Sequence, residues 1–130
     1  MNPVEVSFTG GKRIQAQVAG FTIETDQPAK YGGEASAPAP FDLFLGSLAT
    51  CAGIFAWNFC ESRQLSTDGL ALKMECIEDE KKKMIGSIIF HLTLPNDFPE
   101  RYRSGIIRAM ELCAVKRHMH TAPEFTIAIE

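Results

Sequence analysis

The chain has 130 residues, 22% of them charged, with a formal net charge of −3. Such a length predicts one domain, residues 1–130, able to bury roughly 65–70% of the surface its unfolded chain exposes. No basic stripe accompanies the acidic balance, which excludes nucleic acid as an expected partner. Four cysteines are too few for a disulfide scaffold.

The first quarter reads as strands. Val4, Val6 and Phe8 alternate with polar residues, Ile14, Ala16 and Val18 do so after Gly10-Gly11, and Phe21, Ile23 and Thr25 follow Gly20. Residues 26–39, DQPAKYGGEASAPA, have no periodicity and predict an ordered surface loop. The start MNPVEVSF lacks the basic and apolar blocks of a signal peptide. A cytoplasmic location with reduced thiols is the expectation.

A helix is predicted from Pro40 to about Arg63. Proline suits a first helical turn, and Asp42 suits the positive helix end. Phe44, Leu48, Cys51, Phe55 and Phe59 recur at spacings 4, 3, 4 and 4, forming one apolar stripe. Leu43, Ile54 and Trp57 put apolar groups on other faces, so the helix needs cover on most sides. That points to a subunit interface. Its apolar part is only about 15 residues, broken by Ser47 and Thr50, which reads as too short to span a bilayer.

Leu70, Leu72, Met74 and Cys76 alternate as a strand, as do Met84, Ile88, Phe90, Leu92 and Leu94, with the charged turn 78–83 between them. A second helix starts near 96–99 and carries Tyr102, Ile106, Met110 and Cys113 on one stripe. Phe125, Ile127 and Ile129 predict a last strand. The order β-β-β-α-β-β-α-β lacks βαβ alternation, so the fold class is α+β with a mostly antiparallel sheet.

The cysteines fall at 51, 60, 76 and 113, with no CxxC pair. Cys60 lies nine helical steps from Cys51, about half a turn away in azimuth, so the two face apart. Cys76 keeps step with a strand's apolar positions and reads as core filling. Cys51 and Cys113 each sit on an inward stripe. If their helices pack together, the Cα atoms come within the ~4.4–6.8 Å that a disulfide needs; otherwise both are inert packing. No spacing of His118 and His120 with Cys113 supports a closed metal site, and no cofactor motif is present.

The segment GGEASAPAPFDLFLGSLATCAGI at 32–54, followed by ELCAVKRHM at 111–119 and a short final strand, resembles the OsmC/Ohr family of osmotically inducible and organic hydroperoxide resistance proteins. The likeness runs over nearly the whole chain. It implies an OsmC/Ohr-like fold, with antiparallel sheets packed around a long buried central helix in an intertwined homodimer. It also implies a thiol-dependent peroxidase for organic hydroperoxides. Cys51 matches the family's peroxide-attacking cysteine and Cys113 its resolving cysteine, and a reducing dithiol restores both. Phe41, Phe44, Leu48 and Phe55 would then line an apolar substrate pocket.

One departure from the family pattern bears on activity. Active members place an arginine beside the cysteine, held by a glutamate ten residues before it; that position here is Phe41. Arg13, with Lys12 next to it, is the candidate cation, and Asp42 is the nearest carboxylate. The alternative reading is a stress-related module that binds a small hydrophobic ligand without efficient peroxidase activity.

Overall fold

The computed structural model describes all 130 residues and divides into two compact units, Met1–Gly46 and Ser47–Glu130. In the first, β1 (Glu5–Gly10), β2 (Arg13–Val18) and β3 (Phe21–Thr25) form an antiparallel meander in chain order. The register pairs Phe8 with Ile14 and Ala16 with Ile23. The alternation of apolar residues produced the expected strands, but β1 is exposed along its whole length while β2 is mostly half-buried. Val4, Val6, Phe8 and Phe21 are all more than half exposed.

The loop after β3 is ordered by one buried carboxylate. Asp26, 1% exposed, accepts hydrogen bonds from the Gln27, Glu34 and Ser36 amides and from the Ser36 hydroxyl at 2.6 Å. Its own amide donates to the Pro38 carbonyl. A buried carboxylate that accepts this many donors ties down a segment with no secondary structure of its own. Gly33 is obligatory there, because a Cβ would collide with the Gln27 carbonyl.

That loop delivers the chain to α1 (Pro40–Ser62). The Asp42 carboxylate accepts the Ala39 amide at 3.0 Å, the reach-back half of a capping box. At 23 residues, α1 is longer than its apolar run suggested and is apolar enough by composition to cross a bilayer. One face is nonetheless packed within the fold: Leu48, Ala52, Ala56, Phe59 and Cys60 are buried.

The second unit holds β4 (Ala71–Asp79), β5 (Met84–Thr93), α2 (Arg103–Glu111) and α3 (Ala114–His120) alongside most of α1. β4 and β5 make an antiparallel hairpin, and the Asp79 carboxylate accepts the Lys81 and Lys82 amides within its turn. Ala52, Ala56, Phe59, Cys60, Ile106 and Met110 form the core, backed by Leu72, Phe90 and Leu92 of the hairpin. The approach of α2 is tight: a Cβ on Gly105 would sit 3.0 Å from the Phe59 ring. Phe59 also meets Tyr102 edge to face at 5.9 Å.

Three expectations need correction. The fully buried line of α1 runs through Ala52 and Ala56 rather than Cys51 and Phe55, which are only half-buried. Small side chains let neighbouring elements approach closely, and a pattern weighted by large residues misplaces the stripe by about one position. Cys76 is exposed, not core filling, because the β4 and β5 pair has no second layer on that face at its far end. Residues 122–130 form no strand; Phe125, Ile127 and Ile129 are at least 87% exposed. Alternation alone cannot make a strand without an edge to pair with.

Candidate active site

Cys51 lies about midway along α1, and Cys113 lies where the predicted second helix breaks in two. α2 stops at Glu111, with the Leu112 amide donating to Ala109 at 3.1 Å. Cys113 then takes φ −49°, ψ 125°, and α3 begins at Ala114. The Cys113 carbonyl accepts the Arg117 amide at 3.0 Å, as the residue before a helix does. Such a start leaves the first amides of the new helix without intrahelical acceptors. Here they meet sulfur.

The Cys51 side chain is hydrogen-bonded to Cys113 and receives the Val115 and Ala114 amides. Burial is the largest influence on its ionisation and opposes it. Cys113 and the two amides together outweigh that opposition, so the Cys51 thiol lies below its ordinary pKa. Cys113 goes the other way. Burial first, then the Cys51 side chain, push its pKa up, while the Lys116 and Val115 amides pull against the rise. Those amides do not reach the geometry of a side-chain cap hydrogen bond.

The two thiols therefore divide their roles by environment. Cys51 is the readier thiolate and is half-buried; Cys113 is 0% exposed and holds its proton. Both are free thiols. A disulfide between them would bring the two hydrogen-bonded sulfurs to about 2.05 Å. The Lys116 ammonium of α3 lies 5.9 Å from the centre of the Phe90 ring.

The remaining candidates are placed as follows. Arg13 forms a 3.1 Å ion pair with Glu34, its partner within the loop that Asp26 orders. Lys12 is exposed. Asp42 is committed to the Ala39 amide. Phe41 is exposed, with its ring centre 5.5 Å from that of Phe44; Phe44 and Phe55 are half-buried and Leu48 is buried. His118 directs Nδ1 to the Ala114 carbonyl at 2.6 Å.

Sequence reasoning missed two features. The amides of Ala114 and Val115 carry no side-chain signal, and no glycine or proline marks the break at Cys113. Glu34 was the other omission: an acidic residue of the 26–39 loop that pairs with Arg13.

Comparison with known proteins places the fold. The family model described as OsmC-like protein matches residues 33–128. An osmotic stress induced and detoxification response protein from Psychrobacter arcticus superposes with a TM-score of 0.73 at 18% identity, over 90% of this chain and 87% of that one. An OsmC like protein from Mycoplasma pneumoniae gives 0.69 at 15%, covering 92% and 87%. An organic hydroperoxide resistance protein from Elizabethkingia anophelis gives 0.61 at 16%, covering 94% and 91%. No curated protein matches by sequence. At these identities the solved structures establish a shared α+β fold with antiparallel sheets, while the family match covers both cysteines and the helices that carry them. The chain belongs to the OsmC-like family.

Proposed function

We propose that the protein is a thiol-dependent peroxidase that reduces organic hydroperoxides. The observation carrying this reading is the Cys51–Cys113 contact, in which the half-buried cysteine has the lowered pKa and the fully buried one the raised pKa. The Cys51 thiolate attacks the terminal oxygen of ROOH. The O–O bond breaks, sulfur gains OH as a sulfenic acid, and RO⁻ leaves and takes a proton to become the alcohol. The Cys113 thiol then displaces hydroxide from that sulfur, forming the disulfide and releasing water. A dithiol returns two electrons and restores both thiols.

Contact before oxidation matters chemically. A sulfenic acid that meets its partner thiol at once is converted to a disulfide before a second hydroperoxide can take it to sulfinic acid. The cation that family resemblance assigns to Arg13 or Lys12 is not required for ionisation in this reading, since Cys113 and two amides already oppose burial. The family's names for its solved members, organic hydroperoxide resistance among them, support the substrate class.

A homodimer in a reducing, cytoplasmic setting is part of the proposal. β1 is an edge strand with an exposed apolar face, and Phe125, Ile127 and Ile129 alternate in an unpaired segment. Ile54 and Trp57 of α1 are also about half exposed. A second copy would cover such surface.

The test is consumption of cumene hydroperoxide by the reduced protein with a dithiol present. Wild type should turn over, and Cys51→Ser should not. Equal consumption by Cys51→Ser removes the peroxidase reading and favours a protein that only binds small hydrophobic molecules.

A further inference from the structure

We propose that His118 is a positioning residue for Cys51: by donating its Nδ1 hydrogen to the Ala114 carbonyl, it orients and polarises the Ala114–Val115 peptide group, whose N–H lies on the Cys51 sulfur. The value of this contact for catalysis rests on the thiol cycle proposed above. The contact itself concerns only the state of Cys51 and is read without hydroperoxide.

Covalent geometry ties the two ends together. The Ala114 carbonyl and the Val115 N–H belong to the same planar trans peptide, so they point in opposite directions across one rigid unit. At one end the Val115 amide is hydrogen-bonded to Cys51; at the other the carbonyl accepts His118 at 2.6 Å. A carbonyl can only accept, so Nδ1 carries the hydrogen whether the ring is neutral or charged. Cys51 and His118 are thus joined by two hydrogen bonds with a single peptide between them.

A donor on the carbonyl oxygen draws electron density from the peptide nitrogen, and the N–H becomes a better donor to an anion. Hydrogen bonds in series strengthen one another in this way by about 10–30%. A donor that binds thiolate better than thiol favours ionisation. Burial opposes ionisation of Cys51, and what offsets it is Cys113 with the Val115 and Ala114 amides, no charged side chain among them. Of the other basic side chains on α3, Lys116 stands over the Phe90 ring, and Arg117 and His120 are exposed. A side chain that tunes Cys51 therefore does so through the backbone.

The bond also anchors. α3 has seven residues, a length at which a helix holds its first turn poorly by itself. His118 reaches back one turn to the first residue of that helix and pins it. The side chain is exposed, so replacing it opens no cavity in the core. A role limited to helix stability predicts a different order of variants from the one proposed. Leucine is a better helix former than histidine or asparagine. Asparagine, unlike leucine, keeps a donor nitrogen bonded to Cγ, where histidine has Nδ1.

The experiment titrates Cys51 in the full-length reduced protein, with iodoacetamide alkylation across a pH series mapped by mass spectrometry. Wild type is compared with His118→Leu, His118→Asn and His120→Leu. His118→Leu should lower the thiolate-to-thiol ratio at Cys51 about twofold, the scale of a 10–30% weakening of one hydrogen bond to an anion. His118→Asn should bring the ratio back close to wild type, and His120→Leu should leave it there. An unchanged ratio in His118→Leu, or an equal fall in His118→Asn or His120→Leu, would each overturn the assignment. A protein inert to hydroperoxide that still separates the leucine and asparagine variants loses the peroxidase reading and keeps this one. Hydroperoxide turnover with one Cys51 titration common to all four proteins does the reverse.

Discussion

The Cys51 thiol lies against Cys113 and the first amides of α3, so one helix break both encloses the second sulfur and helps ionise the first. Had α2 run straight through, those amides would have been satisfied within the helix. The break at Cys113 is what makes the pair chemically unequal.

Unequal acidity is measurable directly. Cys51 has a lowered pKa, so its thiolate is more abundant at neutral pH and is lost only as pH falls through the lowered value. Alkylation by iodoacetamide, mapped by mass spectrometry, should reach half its maximal rate at Cys51 below the ordinary thiol value of about 8.5. Cys113 should remain unmodified over the same time. A Cys51 midpoint above that value would contradict the role of the amides.

Removing the partner tests its contribution. In Cys113→Ala the Cys51 midpoint should rise, because the largest favourable influence is gone while burial persists. Excess hydroperoxide should then drive Cys51 to sulfinic acid, detected as a gain of two oxygens. An unshifted midpoint with no overoxidation would mean that the contact has no chemical consequence.

Asp26 should govern the loop at 26–39. The Ser36 hydroxyl, then the Gln27 and Ser36 amides, hold its pKa down at about 2. Its contribution to stability is therefore fully present above the unfolded carboxylate value of roughly 3.9 and fades as pH falls through about 2. Asp26→Asn should lower the melting temperature at pH 7 and flatten the acid limb between about pH 4 and 2. An unchanged acid limb would assign the loop's order to something else.

The core makes a stability prediction free of chemistry. Phe59 is 6% exposed, meets Tyr102, and carries the Arg63 guanidinium 3.6 Å from its ring centre. Phe59→Ala should cost about 3–5 kcal/mol by urea denaturation. A loss under about 1 kcal/mol would mean that α1 and α2 are not packed as described.

The exposed alternation at the C-terminus should matter only to assembly. Ile127→Asp combined with Phe125→Asp is expected to yield monomer by sedimentation while leaving the helical circular dichroism signal intact. A mass unchanged from wild type, whether monomer or dimer, would remove these residues from the interface.

The loop, the long apolar helix and two cysteines some sixty positions apart were legible because they are local patterns, and they were enough to point to the family. The alternation of β1 to β5 was legible for the same reason. Alternation at 125–129 misled, since a strand exists only when it is paired, and this segment pairs with no strand of its own chain. The buried line of α1 was misplaced because Ala52 and Ala56 carry little hydrophobic weight, though their small size is what admits their neighbours.

By itself, then, the sequence determined which residues could form helices and strands, and which side chains carry sulfur and charge. Only the tertiary structure decided that α2 and α3 part at Cys113, that Arg13 pairs with Glu34, and that Cys113 is enclosed while Cys51 is half-buried. The physical reason is common to all three. Backbone amides look alike along a chain, and burial and ion pairing belong to surfaces made by residues distant in sequence.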